Sequence, residues 1–225
     1  MAAGNDSTLE VSQQVPATYP EVIAVASTTV MAGTSACAGH PSPVIGDTAS
    51  YFTTDGAFDS LTGIGVSVSA PGEDREDITK SCFLKSVGIL STRLGGGTVR
   101  TSGTSMAAPH VAGVVALMTQ QSPALTPEDA RRRLRLGADA LDIAPLDSPA
   151  AGYSVDGKRE GIVSAPGALS APEHSLRRRK VGCLGRRHRI ERRLIYDGGA
   201  SLVALGESQA SRNWPEPTLL PLTSP

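Results

Sequence analysis

The stretch "SGTSMAAPHVAGVVALM" (Ser102–Met118) decides how this chain is read. It sets a serine between a tight glycine turn and a long run of small apolar residues. From Met106 to about Gln121 those residues leave no polar face, and a helix of that kind is expected to be buried. Pro109 is tolerated only near a first turn, so the helix is predicted to begin at about Ser105. Gly103 permits the sharp turn that would present the Ser105 hydroxyl. The helix start directs free N–H groups and a partial positive charge toward that hydroxyl, which favours a negative oxygen forming there. Taken alone, a serine in this place is more often a helix cap than a nucleophile.

Outward from the motif, the pattern alternates short strands with helices. "PEVIAVAST" (20–28) reads as a buried strand, and "GIGVSVSAPG" (63–72) as a second, ended by Pro71-Gly72. "SVGILST" (86–92) is a third, and "RLGGGTVRTSG" (93–103) a hairpin-like turn into the serine motif. Residues 31–60 are polar and glycine-rich and read as loops. In "LTPEDARRRLRLGAD" (125–139), Thr126 is the expected N-cap, Pro127 the first helical residue and Gly137 the stop. Arg131, Arg132, Arg133 and Arg135 are expected on a solvated face. "GIVSAPGALSA" (161–171) reads as a last strand leading into a helix.

Composition narrows the function classes. The 225 residues carry a net charge of −1, yet residues 1–170 carry −6 and residues 171–225 carry +5. That shift marks a boundary near Ser170, with a domain over 1–170 and a basic, proline-containing, disordered tail over 171–225. The tail is read as an extension, with no nucleic-acid partner expected. The three cysteines, Cys37, Cys82 and Cys183, form no CxxC and no zinc-ligand spacing. Cys37 and Cys82 either pair in an oxidising compartment or stand as separate buried thiols; the sequence leaves both open. No apolar run has the length of a membrane span, and "MAAGNDSTLE" lacks the features of a signal peptide.

Nearly residue for residue, "GTSMAAPHVAGVVALM" resembles the active-serine signature of the subtilisin-like serine proteases, the subtilases. Other segments match in the family's order: "AAGN" (2–5), "VPATYPEVIAVAST" (15–28), "VSAPGED" (68–74) and the run "GILSTRLGGGTVRTSGTSMAAPHVAGVVALM" into the serine helix. The resemblance extends from Ala2 to about Leu169. It implies an α/β fold, a mostly parallel sheet with helices on both faces, and serine-type endopeptidase activity. It makes Ser105 the nucleophile. Asn5 would donate its side-chain N–H to the oxyanion, beside the backbone N–H of Ser105.

In this family the catalytic aspartate and histidine precede the oxyanion asparagine. Here the chain begins at the asparagine segment, so it is expected to be the C-terminal part of a catalytic domain, truncated at its N-terminus. His110 belongs to the serine motif and is expected to be structural. His40 lacks the sequence context of the catalytic histidine, and His174 and His188 fall in the tail. A second reading is a non-catalytic remnant, or a fragment that binds peptides or assembles with another chain. The resemblance also implies a peptide or protein substrate, a partner in the other half of the domain, and secretion by family habit. No cofactor is required for the chemistry; structural calcium is conceivable near Tyr19–Val22, where no diagnostic ligand loop is visible.

Overall fold

The computed structural model describes residues 1–39, 44–148 and 159–172. His40, Cys183, His174, His188 and all but the first two residues of the expected tail lie outside them. The central feature is a parallel pair, β1 (Ala24–Thr29) and β2 (Val66–Glu73). The Met1–Ala3 segment runs parallel along the free side of β1, with Ala3 N–H donating to the Val25 carbonyl at 2.9 Å. Ile162 makes a parallel bridge on the free side of β2, at Ser69. Four chain segments thus lie side by side in one direction, as alternating strand and helix patterns favour. β2 does not stop at Pro71-Gly72 as the turn residues suggested; it continues to Glu73, paired with Thr29.

Two antiparallel hairpins follow: β3 (Arg75–Ile78) with β4 (Leu84–Val87), and β5 (Ile89–Thr92) with β6 (Thr98–Thr101). The second occupies the expected hairpin region, with Gly95, Gly96 and Gly97 at its tip all at positive φ. The first was not anticipated. A disulfide between Cys37 and Cys82 fastens its turn to the segment after β1, with Cα atoms 5.1 Å apart. The same segment bridges in parallel to Ile78, and Thr34 N–H donates to Asp77 Oδ1 at 2.8 Å. The pairing that the sequence left open is therefore made.

One face of the parallel pair carries α1 (Thr104–Gln121), α2 (Pro127–Leu136) and α3 (Ala165–Ser170). Val25, Val68 and Ala70 of the strands pack with Ala107, Val111, Val114, Met118, Ala130, Leu134 and Ala168 of the helices. Each large aliphatic side chain fully buried in such a layer contributes on the order of 1.5–3 kcal/mol. On the other face, Ala24, Ala26 and Val66 pack with Ala3, Ala17 and Val11, the last from a short 3-10 turn (Val11–Gln13). The end signals of α2 act as expected: the Thr126 hydroxyl accepts from Asp129 N–H at 3.1 Å, and Gly137 is the C-cap.

Two expectations fail. α1 is not buried all round: Ala112, Gly113, Ala116 and Leu117 are exposed, because the described elements pack only against its Ala107–Val111–Met118 side. Nor do the arginines of α2 form one solvated face. Arg131 and Arg133 are buried. The Arg133 guanidinium donates to the carbonyls of Ala168 and Leu169, and Arg131 to those of Pro20 and Val22. Both flank the buried Ala130–Leu134 stripe, close enough for a long stem to fold inward. Their heads satisfy carbonyls that packing had removed from water.

Candidate active site

Strand, turn and helix meet at Gly103. Its φ of 147° lies where glycine alone is comfortable, so the chain can turn sharply from β6 into α1. Gly103 N–H donates to the Gly72 carbonyl at 3.0 Å, tying the turn to the end of β2. Thr104 is buried and Ser105 exposed, which aims the serine outward at the helix start.

Asn5 arrives from the opposite end of the sequence. Hydrogen bonds to β1 fix the Met1–Ala3 segment, and Thr54 fixes the chain around Asn5. Thr54 N–H donates to the Gly4 carbonyl at 3.0 Å, and its hydroxyl to the Asp6 carbonyl at 2.9 Å. Thr104 then orients the Asn5 side chain: its backbone N–H and its hydroxyl both donate to Asn5 Oδ1, each at 2.9 Å. With Oδ1 engaged twice, Nδ2 is left to face the turn. A Cβ placed on Gly103 would lie 3.4 Å from Asn5 Nδ2 and 3.7 Å from Ser105 N. The absent side chain thus leaves open a space bordered by the Asn5 amide, whose Oδ1 lies 3.7 Å away, and by the backbone N of Ser105 at the helix start. Donors arranged in advance around one point can hold a developing oxyanion at little reorganisation cost.

The structure brings Ser105 and Asn5 together and sets His110 apart. His110 is the one histidine among the described residues, and its Nδ1 lies 2.9 Å from the Met106 carbonyl. A carbonyl only accepts, so Nδ1 carries the proton of that bond. Five residues of helix separate His110 from Ser105, about 7.5 Å of rise and roughly 140° of rotation. Both border an open groove of about 510 Å³ between α1 and the β5–β6 hairpin, lined also by Leu90, Val99 and Met106.

Sequence reasoning missed Thr104 and Thr54, which hold Asn5. Thr104 adjoins Ser105 in the sequence, which is too common a neighbour to mark a role by itself, and Thr54 carries no local signal. At the Tyr19–Val22 loop, where calcium was considered, the carbonyls of Pro20 and Val22 face the Arg131 guanidinium. Among the described residues no three His, Cys, Asp or Glu side chains cluster in a way that would hold a metal.

Residues 1–165 match the model of the subtilase family. An extracellular protease of Xanthomonas campestris pv. campestris is 38% identical over 173 residues, covering 76% of this chain and 23% of that protein. Fervidolysin of Fervidobacterium pennivorans is 35% identical over 172 residues, 76% of this chain and 21% of that protein. Among solved structures, a protease from Pseudoalteromonas arctica superposes with a TM-score of 0.50 at 28% identity, over 76% of this chain and 41% of that one. The chain therefore spans less than a quarter of these curated relatives.

Proposed function

The chain belongs to the subtilase family, and on that footing we propose that it supplies the nucleophile and the oxyanion donors of a serine endopeptidase. Ser105 Oγ attacks the carbonyl carbon of a peptide bond. The carbonyl oxygen becomes negative and takes the space beside Gly103, held by Asn5 Nδ2 and Ser105 N–H. The closeness of Asn5 Nδ2 and Ser105 N to the space that Gly103 leaves open is the observation that supports the reading.

Attack also needs a base within hydrogen-bond reach of the Ser105 hydroxyl. His110 is a poor candidate, given its bond to the Met106 carbonyl and its place on the helix. We assign the base, and the carboxylate that orients it, to a polypeptide segment other than the described residues. The exposed apolar side of α1 supports this, since an all-apolar helix is stable when both sides are covered. Taken without such a segment, the described residues form a non-catalytic fragment that carries the serine and its two candidate oxyanion donors. Secretion is part of the proposal. The Cys37–Cys82 disulfide suits an oxidising compartment, and the Xanthomonas relative is named as extracellular.

The test uses a fluorophosphonate probe and a peptide substrate. With the histidine- and aspartate-bearing half of a subtilase domain supplied in trans or by fusion, the probe should label Ser105 and turnover should appear. Both should vanish in Ser105→Ala. Labelling that persists in Ser105→Ala would refute the nucleophile. Robust Ser105-dependent turnover by the 225-residue chain alone would refute the external base.

A further inference from the structure

Behind the serine turn lies a pair of acids that the proposed reaction does not use. Glu73 ends β2 and Glu76 sits in β3, and both are fully buried. Successive residues of β3 point to opposite faces, so Arg75 and Asp77 face outward while Glu76 faces in. Each carboxyl has one oxygen served by a donor from elsewhere. Tyr51 N–H donates to Glu76 Oε1 at 2.9 Å, and the Ser86 hydroxyl donates to Glu73 Oε2. The other two oxygens, Glu73 Oε1 and Glu76 Oε2, are buried and receive no donor. The two carboxyl groups lie within hydrogen-bonding reach of each other. A proton held by the pair relieves the contact of two buried like charges and gives one of these carboxyls a donor.

The pair is wired to the site. Ser86 has a single hydroxyl proton, and it goes to Glu73. Ser102 must therefore donate in the Ser86–Ser102 hydrogen bond. Ser102 immediately precedes Gly103, and Glu73 immediately follows Gly72, which accepts from Gly103 N–H. The acid pair is thus linked to the turn through Ser86 and Ser102, and Glu73 adjoins the residue that the turn's Gly103 N–H bonds.

We propose that Glu73 and Glu76 share a single proton and, through Ser86 and Ser102, position the Gly103–Ser105 turn, so that the turn responds to the protonation of the pair. The proposal deepens the assignment of Ser105 as nucleophile and rests on it for its functional meaning. Glu73, Glu76, Ser86 and Ser102 are positioning residues. Neighbouring charges do not relieve the pair. Arg75 is held by Asp74 and Asp77, and Arg100 by Asp74. Lys85 of β4 is exposed opposite Asp77, and Thr29 of β1, beside Glu73, is neutral.

Burial, and then the neighbouring Glu73, push Glu76 up to about 8. The folded chain therefore holds a proton that the unfolded chain releases near the ordinary value of 4.5. Bound protons exceed those of the unfolded state across that window, so stability falls as pH rises from about 4.5 to about 8 and levels off above it.

The experiment follows the backbone amide resonances of Gly103 and Ser105, and the melting temperature, between pH 5 and pH 9. It uses the native chain, Glu76→Gln and Ser86→Ala. In the native chain both amides should shift with one midpoint, and the melting temperature should fall through the same window. Glu76→Gln keeps a neutral hydrogen-bonding group at every pH and should remove both responses. Ser86→Ala should keep the fall in melting temperature while cutting the amide response. Native amides that do not titrate, or that titrate unchanged in Glu76→Gln or Ser86→Ala, would overturn the proposal. None of these readouts needs catalysis, so a failure of Ser105 labelling is told apart from a failure of the acid pair.

Discussion

Gly72 and Gly103 touch through their backbones. Gly103 N–H donates to the Gly72 carbonyl, and a Cβ on Gly72 would lie 2.7 Å from the Gly103 carbonyl oxygen and 2.0 Å from Ser27 Oγ. No side chain fits between β1, β2 and the serine turn. Gly72→Ala should therefore destabilise the chain by at least about 1–3 kcal/mol, the usual cost of overpacking. Urea denaturation checks the value; a midpoint within error of the native one would mean that the turn stands further from β2 than described.

Gly103→Ala tests the site more than the fold. The added Cβ meets its neighbours at ordinary contact distance, but a φ of 147° strains an alanine by about 1–3 kcal/mol. The variant should fold with a lowered melting temperature. Its methyl group should fill the oxyanion space, and Ser105 labelling in the complemented enzyme should fall by at least tenfold. Native labelling in a folded Gly103→Ala variant would remove that space from the mechanism.

In the proposed mechanism Asn5→Ala deletes a donor that acts mainly in the transition state, so turnover should fall with little change in KM. The expected loss is about 10²–10³-fold, a scale carried over from the loss of the equivalent donor in a subtilisin. Thr104→Val keeps the backbone bond to Asn5 Oδ1 and removes the hydroxyl one, so its loss should be smaller, about tenfold. Steady-state kinetics on the complemented enzyme separate the terms. An Asn5→Ala effect confined to KM would exclude the oxyanion role.

Reduction should loosen the β3–β4 hairpin. The disulfide closes a loop of 45 residues, worth about 4 kcal/mol on a chain-entropy estimate. Cys37→Ser with Cys82→Ser should lose stability of that order and expose the Thr79–Phe83 turn to proteases. Equal denaturation midpoints for reduced and oxidised chains would show that the hydrogen bonds at Asp77 and Ile78 already hold the hairpin.

The sequence made the parallel strands, α1 and α2 legible: the strands and α1 as apolar runs bounded by proline or glycine, and α2 by its threonine cap and glycine stop. The β3–β4 hairpin was not legible. "REDITKSCFLKSV" shows no apolar alternation, and its inward positions include Glu76, a residue normally read as solvated. Its order comes from a disulfide across 45 residues and from two buried acids whose hydrogen-bond partners, Tyr51 and Ser86, lie 25 and 13 residues away. Arg131 and Arg133 were misplaced for a similar reason, since their partners are carbonyls of distant segments. At the site, Ser105 and Asn5 were visible only through the family resemblance. Thr104 and Thr54 required coordinates, because nothing local distinguishes a clamp from a turn residue.

The bonds from Thr104 to Asn5 join residues 99 apart in the chain. Contacts of such separation form only after the intervening chain has closed its loop, so they appear late in folding. A partly folded chain can already possess the serine and its helix, both made of neighbouring residues, but not the second donor. The arrangement around Asn5 is therefore a late product of the fold: until residues 5 and 104 have met, the serine helix stands without the amide side chain that borders its start.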